Sequence, residues 1–493
     1  MSKNLLYLVL LFLYQGFTNA KDNLPNERKY LLNFYSLTII HFNDFHSRFD
    51  ETNTQSEDCT AVEKEAGQCI AGFARIHSVV QDLRNRYRTD NPIVLNTGGN
   101  FFGSHWYNFM KQQTAIEFVK SLNTTVMTLG ESELADGFDD LLPFLKQLGQ
   151  HDIPYVLSNV KKIKGLDNVP DVQTVVVGGR KVAFIGVAND QINSEKLNGK
   201  VEITDAVKSV QHYASRLIQT DVRIIIVLSS CGLEVDRRIA KEAGRNLDLI
   251  VGGHSQSFLF PENSGAPYDK NDKIDGDYPT EVVIEKNGKD RTIPIIQAKA
   301  FGKYVGRLTV YFDHHSRVKF WEGFPVYVNN SIKPQPDVEN LMQGWAKTVE
   351  DLQSQGQGLS EVNLDYSFCR IRECNLGDFV ADAMADHFSN STFKPSAMIP
   401  GAYFHQSIPE GNVSIAQIMA AIPESSPLSL VRLKGEDLWN VLEQSVNPAD
   451  EEQFNCMQVS GLTFTFNPKR EKDDRIRQVK VVDVTNQTSI SGL

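Results

Sequence analysis

Between about Leu31 and Val328, short apolar runs alternate with stretches of helical periodicity, and this alternation limits the chain to one broad architecture. The runs are Leu37 to Ile40, Ile93 to Leu95, Val175 to Val177, Val182 to Val187, Ile224 to Leu228 and Leu247 to Val251. Strand-like runs separated by helices predict an α/β layered domain. Within it, Glu285 to Ile293 carries Asn287-Gly288, a strong two-residue hairpin signal. Pro334 and Pro336 mark a boundary, after which Val338, Leu341, Met342, Trp345, Val349 and Leu352 recur at helical spacing until Gly356 and Gly358. The expected division is a leader over 1–20, a first domain over 21–333, a connector helix over 334–358 and a second domain over 359–493.

Met1 to Ala20 has Lys3, an apolar core from Leu5 to Tyr14 and a small-residue end, the pattern of a cleaved signal peptide. That core is too short to span a bilayer comfortably. No other long apolar run follows and the last residues are polar, so the expected product is secreted and extracellular without a membrane anchor. The formal net charge of −11 argues against nucleic acid or an anionic membrane as the main partner. Six cysteines suit an oxidising compartment. Cys59 with Cys69 and Cys369 with Cys374 read as local disulfides, leaving Cys231 and Cys456 either free and buried or paired by the fold. Sequons at Asn123, Asn329, Asn390, Asn412 and Asn486 suit a glycosylated surface.

Two motifs carry metal-type chemistry. Asp44 and His46 stand two apart beyond the first apolar run, so a carboxylate and an imidazole share a face where a strand gives way to a loop. Gly252, Gly253, His254, Ser255 and Gln256 follow the run ending at Val251, again placing a His and an amide beyond a strand end.

With LTIIHFNDFHSR (37–48), the segments Val94 to Tyr107 and Thr128 to Gly137, CRIRECNLGDFVADAM (369–384) and Leu430 to Gly435, the chain resembles the metal-dependent 5′-nucleotidase and apyrase family over nearly everything after the leader. The resemblance implies a metallophosphatase-like N-terminal domain and a 5′-nucleotidase C-terminal domain with its last portion missing. It implies Asp44, His46 and Gln256 as ligands of one metal, His254 as a ligand of another, and Arg370 as a remnant of the substrate site.

Against that pattern, the chain departs where the chemistry sits. The carboxylate that bridges two metals in the family corresponds to Gly99. The segment carrying a ligand Asn, a catalytic His and its orienting Asp reads Glu131, Ser132 and Ala135 at those positions. A hydroxyl is not cationic near neutral pH, so Ser132 lacks the charge and the proton a phosphoryl leaving group needs, while Glu131 keeps a carboxylate for a metal. A further ligand His corresponds to Ser230, with Cys231 beside it either a soft ligand or a small packed residue. The nucleotide loop reads Pro400 to His405 where the family has an Asn and an Arg, and one base-stacking aromatic corresponds to Glu424.

Two functions remain. One is a catalytically inactive, secreted antihaemostatic binding protein, as the salivary members of the family in blood-feeding arthropods suggest, with a host platelet receptor or another extracellular protein as partner. It would act as a monomer, need no cofactor and hold at most one weak divalent metal at Asp44, His46, His254, Gln256 and Glu131. A fibrinogen-receptor integrin is one target, although the chain has no Arg-Gly-Asp, and Asp290 or Glu436 would have to supply the acid. The alternative is a residual metal-dependent hydrolase of ADP or AMP, for which adenine nucleotides are the ligand.

Overall fold

The computed structural model describes residues 34–135, 137–166, 168–190, 197, 200–286, 288–390, 393–422, 428–447 and 455–481. The leader, Glu424 and Asn486 lie outside them. Two compact units, Met1–Gly344 and Trp345–Leu493, divide within the helix Pro336–Gln353. That helix buries Val338, Trp345 and Val349 of the predicted stripe and stops before Gly356 and Gly358, which belong to a strand.

The strands of the first unit are β1 (Tyr35–Phe42), β2 (Ile93–Asn96), β3 (Val126–Met127), β4 (Val160–Ile163), β5 (Gln173–Val177), β6 (Arg180–Ala188) and β7 (Val201–Ile203). Then come β8 (Ile224–Ser230), β9 (Leu249–Val251), β10 (Thr280–Lys286), β11 (Lys289–Ile296), β12 (Tyr304–Phe312), β13 (Val318–Gly323) and β14 (Val326–Tyr327). One sheet runs β13-β12-β1-β2-β3 with β14 on β12, the other β10-β11-β9-β8-β6-β5. Every residue of β8 is buried, as a parallel strand covered on both faces requires. One apolar core joins Leu37, Ile39 and Leu95 of the first sheet to Phe184, Ile226 and Ile250 of the second and to the helices Ala206–Gln219 and Leu233–Ala243. This is the α/β layered fold the alternation predicts. At the hairpin, Lys286 pairs with Lys289 and Gly288 takes φ 72°, while Asn287 lies outside the described residues.

Register decides where chemistry can gather. β1, β2 and β3 run parallel, with Phe42 opposite Asn96 and Asn96 opposite Met127. In the second sheet β6, β8, β9 and β11 run parallel. The segments after β1, β2, β3, β8 and β9 therefore leave from carboxyl ends, the edge where α/β sheets place their ligands. The loop after β1 is pinned by aromatic packing: the Phe45 ring stacks 4.0 Å from that of Phe118, and Phe49 meets both Phe45 and Phe73 edge-on.

In the second unit β15 (Gly356–Ser360) pairs with β17 (Gly411–Ser414), β16 (Ala397–Pro400) with β18 (Met457–Ser460), and β19 (Leu462–Phe466) with β20 (Ile476–Val481). The helix Asn375–Phe388 contributes Leu376 and Ala381 to its core.

Candidate functional site

Asp44, His46, His254 and Gln256 all adopt positive φ, at 51°, 51°, 73° and 53°. Non-glycine residues held there carry on the order of 1–3 kcal/mol of strain each, and such strain clusters at sites whose geometry is over-determined. The surrounding bonds supply that determination. Asp44 N donates to Gly98 O at 3.1 Å, His46 N to Gly99 O at 2.8 Å, and Phe301 N to Asp44 O at 2.8 Å.

The five candidate ligands come together, but around one another. The Asp44 carboxylate accepts from His254 N at 2.9 and 3.1 Å and from Asn43 Nδ2 at 3.0 Å. Burial pushes its pKa up to about 6, against the lowering effect of those hydrogen bonds. His46 Nε2 lies 3.3 Å from Gln256 Nε2, a contact whose donor depends on the imidazole tautomer and the amide orientation. Burial holds the His46 pKa below its usual value. His254 Nδ1 is 3.0 Å from Glu131 Oε2 and its Nε2 is 3.3 Å from Asn189 Nδ2. Glu131, at the position of a neutral amide in the family pattern, thus closes on the imidazole beside it.

Gly99 stands where the resemblance expects a bridging carboxylate. A Cβ built there would fall 2.6 Å from Asp44 Oδ1 and 2.8 Å from Asp44 Cα, and φ is 75°. Asp44 itself occupies the space a side chain at 99 would need. Ser132 Oγ accepts from Phe101 N at 3.2 Å, so the hydroxyl at the catalytic position supports a loop. Ala135 ends the short helix Glu131–Ala135. Ser230 is fully buried and its Oγ finds no hydrogen-bond partner, where an imidazole would have reached out toward an ion. Cys231 is free and buried, and burial pushes its thiol pKa far up.

Among the described residues, no three His, Cys, Asp or Glu side chains are grouped to hold an ion. The donors present do not fit a two-metal centre: the bridging carboxylate is absent at Gly99 and one ligand position, Ser230, is a hydroxyl.

Glu133 is the residue that sequence reasoning missed. It is fully buried, and its carboxylate accepts from Gly99 N at 3.0 Å, Asn100 N at 2.6 Å, Asn100 Nδ2 at 3.0 Å and Gly130 N at 2.8 Å. It therefore braces the loops after β2 and β3 against each other. Its sequence signal is an acid in the first turn of a short helix after Gly130, where backbone N–H groups need acceptors.

In the second unit, Arg370 is exposed and lies in a loop closed by the Cys369–Cys374 disulfide; Cys59–Cys69 closes the other predicted loop. Cys456, like Cys231, is free and buried. Pro400 ends β16, and exposed His405 donates its backbone N to Ala421 O at 3.0 Å. Asn123, Asn390 and Asn412 are exposed, as glycan attachment requires. Asn329 is partly buried, with its Oδ1 accepting from Ser331 N and Oγ of its own sequon.

Comparison with known proteins agrees with this frame. Residues 37–258 match the calcineurin-like phosphoesterase family and residues 353–489 the 5′-nucleotidase C-terminal domain. The chain is 42% identical to an apyrase of Aedes albopictus over 95% of its length and 83% of that relative's. It is 30% identical to a 5′-nucleotidase of Bos taurus over 91% of its own length and 78% of that protein's. A 5′-nucleotidase precursor from Thermus thermophilus superposes with a TM-score of 0.58 at 26% identity, covering 92% of this chain and 87% of the other. The NAD nucleotidase of Haemophilus influenzae shares the fold with a TM-score of 0.70 at 19% identity, covering 93% and 87%. Both domain matches fall on the two units in the expected order. The chain belongs to the 5′-nucleotidase and apyrase family, whose named members are nucleotide hydrolases, while its own site departs from a two-metal centre.

Proposed function

We propose that this chain is a secreted, non-hydrolysing member of its family that works by binding an extracellular protein, with a platelet receptor of a blood-fed host as the target class. The observation that carries this reading is what stands at the chemical positions: no side chain at Gly99, whose Cβ space Asp44 fills, and hydroxyls at Ser132 and Ser230. Losing one positioned acid or base costs roughly a hundred- to ten-thousandfold in rate, and Ser132 removes the imidazole position outright. Relatives named apyrase come from the biting flies Aedes, Anopheles and Tabanus, which supports an antihaemostatic setting. The leader-like first twenty residues and the two disulfides support secretion. The proposed protein is monomeric and needs no cofactor. The fibrinogen-binding integrin is a narrower version of the same target.

The second reading, residual hydrolysis of ADP or AMP with one divalent metal, is favoured by the retention of Asp44, His46 and His254 together with the 42% identity to an apyrase. The test pairs phosphate release from ADP and AMP, in Zn, Mn, Mg or Ca, with aggregation of platelets driven by agonists other than ADP. Inhibition of aggregation without phosphate release is expected. Metal-dependent turnover abolished by Asp44→Ala would replace the first reading by the second.

A further inference from the structure

The Cys369–Cys374 loop of the second unit combines a fixed backbone with an exposed apolar and cationic surface. Gln458, 1% exposed, holds the loop from within: its Nε2 donates to Cys369 O at 2.7 Å and Arg372 O at 2.9 Å, and its Oε1 accepts from Cys374 N at 3.0 Å. Cys456 N donates to Arg370 O at 2.9 Å. On the approach, Asp365 Oδ1 accepts from Ser367 N, Ser367 Oγ and Ser407 Oγ at 3.1, 2.7 and 3.0 Å. The carbonyls of Cys369, Arg370 and Arg372 are thus tied inward.

The side chains do the opposite. Tyr366, Phe368 and Ile371 are 37%, 45% and 50% exposed, and Arg370 and Arg372 are exposed between them. The Arg372 guanidinium stands 4.1 Å from the Phe368 ring centroid, a stacked pair that presents charge and ring together. Scattered exposed apolar residues are ordinary, but three within six positions on a braced loop are not. Tyr, Phe and Arg are also the residues that dominate binding energy in protein interfaces, and a rigid loop loses little conformational entropy on docking. The neighbouring loop adds to the change of use. Gly401 approaches so closely that a Cβ there would lie 2.0 Å from Cys369 O, and the next two residues are Ala402 and Tyr403 in place of two glycines of the family pattern.

We infer that Tyr366, Phe368, Arg370, Ile371 and Arg372 form the docking surface for a protein partner that presents carboxylates around an apolar depression. This rests on the proposed binding function and names the surface that performs it. The charge fits that occupant: Glu373 is the one acid among residues 369–374 and two guanidiniums oppose it, on a chain whose formal charge is −11. An acidic partner is met by cations here and by net negative charge on average elsewhere.

The test uses fluorescently labelled full-length protein and washed platelets as the probe, with ADP binding measured separately by calorimetry. The variants are Phe368→Ala, Ile371→Ala and Arg372→Glu, which leave all the loop's backbone bonds in place, and Gln458→Leu, which loosens the loop without touching its surface. Val176→Ala, an exposed apolar residue of the first unit, is the control. Saturable binding by the unmodified protein is expected, with at least a tenfold loss in Phe368→Ala and Arg372→Glu, a smaller loss in Gln458→Leu and none in Val176→Ala. If the unmodified protein binds and the loop variants bind equally well, the surface is wrong and the binding function stands. If the unmodified protein neither binds platelets nor blocks their aggregation, the binding function fails and the surface with it. Loss of ADP binding in the loop variants, with platelet binding kept, would make the loop a nucleotide subsite and overturn the inference.

Discussion

Restoring the family's bridging carboxylate by Gly99→Asp is expected to damage the protein instead of reviving a metal centre. The cost can be built from the geometry. A non-glycine residue in the left-handed region costs roughly 1–2 kcal/mol. Forcing a Cβ to within 2.8 Å of Asp44 Cα is overpacking against backbone, which cannot swing aside as a side-chain end could, and adds about 1–3 kcal/mol. Gly99→Ala should therefore lose about 3 kcal/mol, and in a unit of this size each kcal/mol lowers Tm by roughly 2–4 °C. Gly99→Asp carries a further penalty, because it sets a second buried carboxylate beside Asp44, whose pKa burial already raises to about 6. The assay is thermal unfolding of the unmodified protein, Gly99→Ala and Gly99→Asp, each with EDTA, Zn and Mn. Ordering by decreasing stability should be unmodified, Ala, Asp, with little recovery of the Asp variant by metal. A Gly99→Asp protein as stable as the unmodified one, or raised by many degrees on adding Zn or Mn, would contradict this, since a metal at free concentration L that binds only the folded form stabilises it by RT ln(1 + L/Kd).

Glu133→Ala orphans four buried donors, so a loss on the order of 4 kcal/mol is expected in urea titrations, with Glu133→Gln, which keeps one acceptor oxygen, losing about half. Asp236 is fully buried and burial raises its pKa to about 7, above its unfolded value of 3.8. Its stabilising contribution is therefore present below about pH 3.8 and lost as pH rises through about 7; at 1.36 kcal/mol per unit the loss is on the order of 4 kcal/mol. Asp236→Asn should match the unmodified protein near pH 4 and exceed it at pH 8, and an unchanged pH profile of stability would contradict this. Both free thiols are buried, with the Cys456 pKa pushed up to about 12, so a thiol reagent at pH 8 should find none in the native protein and two after denaturation.

Most strands were legible because burial on both faces leaves an apolar run. Ile224 to Leu228 became Ile224–Ser230, lengthened by two serines, and Val182 to Val187 became Arg180–Ala188, lengthened by Arg180, Lys181 and Ala188, which carry the ladder beyond the apolar run. β12 was less visible although every residue in it is buried, since Arg307 and Thr309 interrupt its pattern; Thr309 Oγ1 lies 2.9 Å from Thr38 Oγ1 and Arg307 stacks on Tyr87 and Phe324. The motif positions around Asp44 and His254 were legible as residue types, and the departures at Gly99, Ser132 and Ser230 followed from the same alignment of motifs. What could not be read was how the remaining groups pair. That Glu131 turns to His254, that Asp44 faces a backbone N–H, and that Glu133 takes four donors all depend on loop φ values at Asp44, Gly99 and His254 that local sequence does not dictate. Lys303 shows the same limit: at 1% exposure it is paired with Asp269 and Asp272, a burial that no pattern of charge along the chain announces.

The proposed function requires that this nucleotidase scaffold no longer hydrolyses nucleotides. Its most direct test is steady-state phosphate release from ADP and AMP by the purified protein across Zn, Mn, Mg and Ca, beside an Asp44→Ala variant prepared identically. Release indistinguishable between the two proteins in every metal is expected. Release that depends on metal and disappears in Asp44→Ala would contradict it.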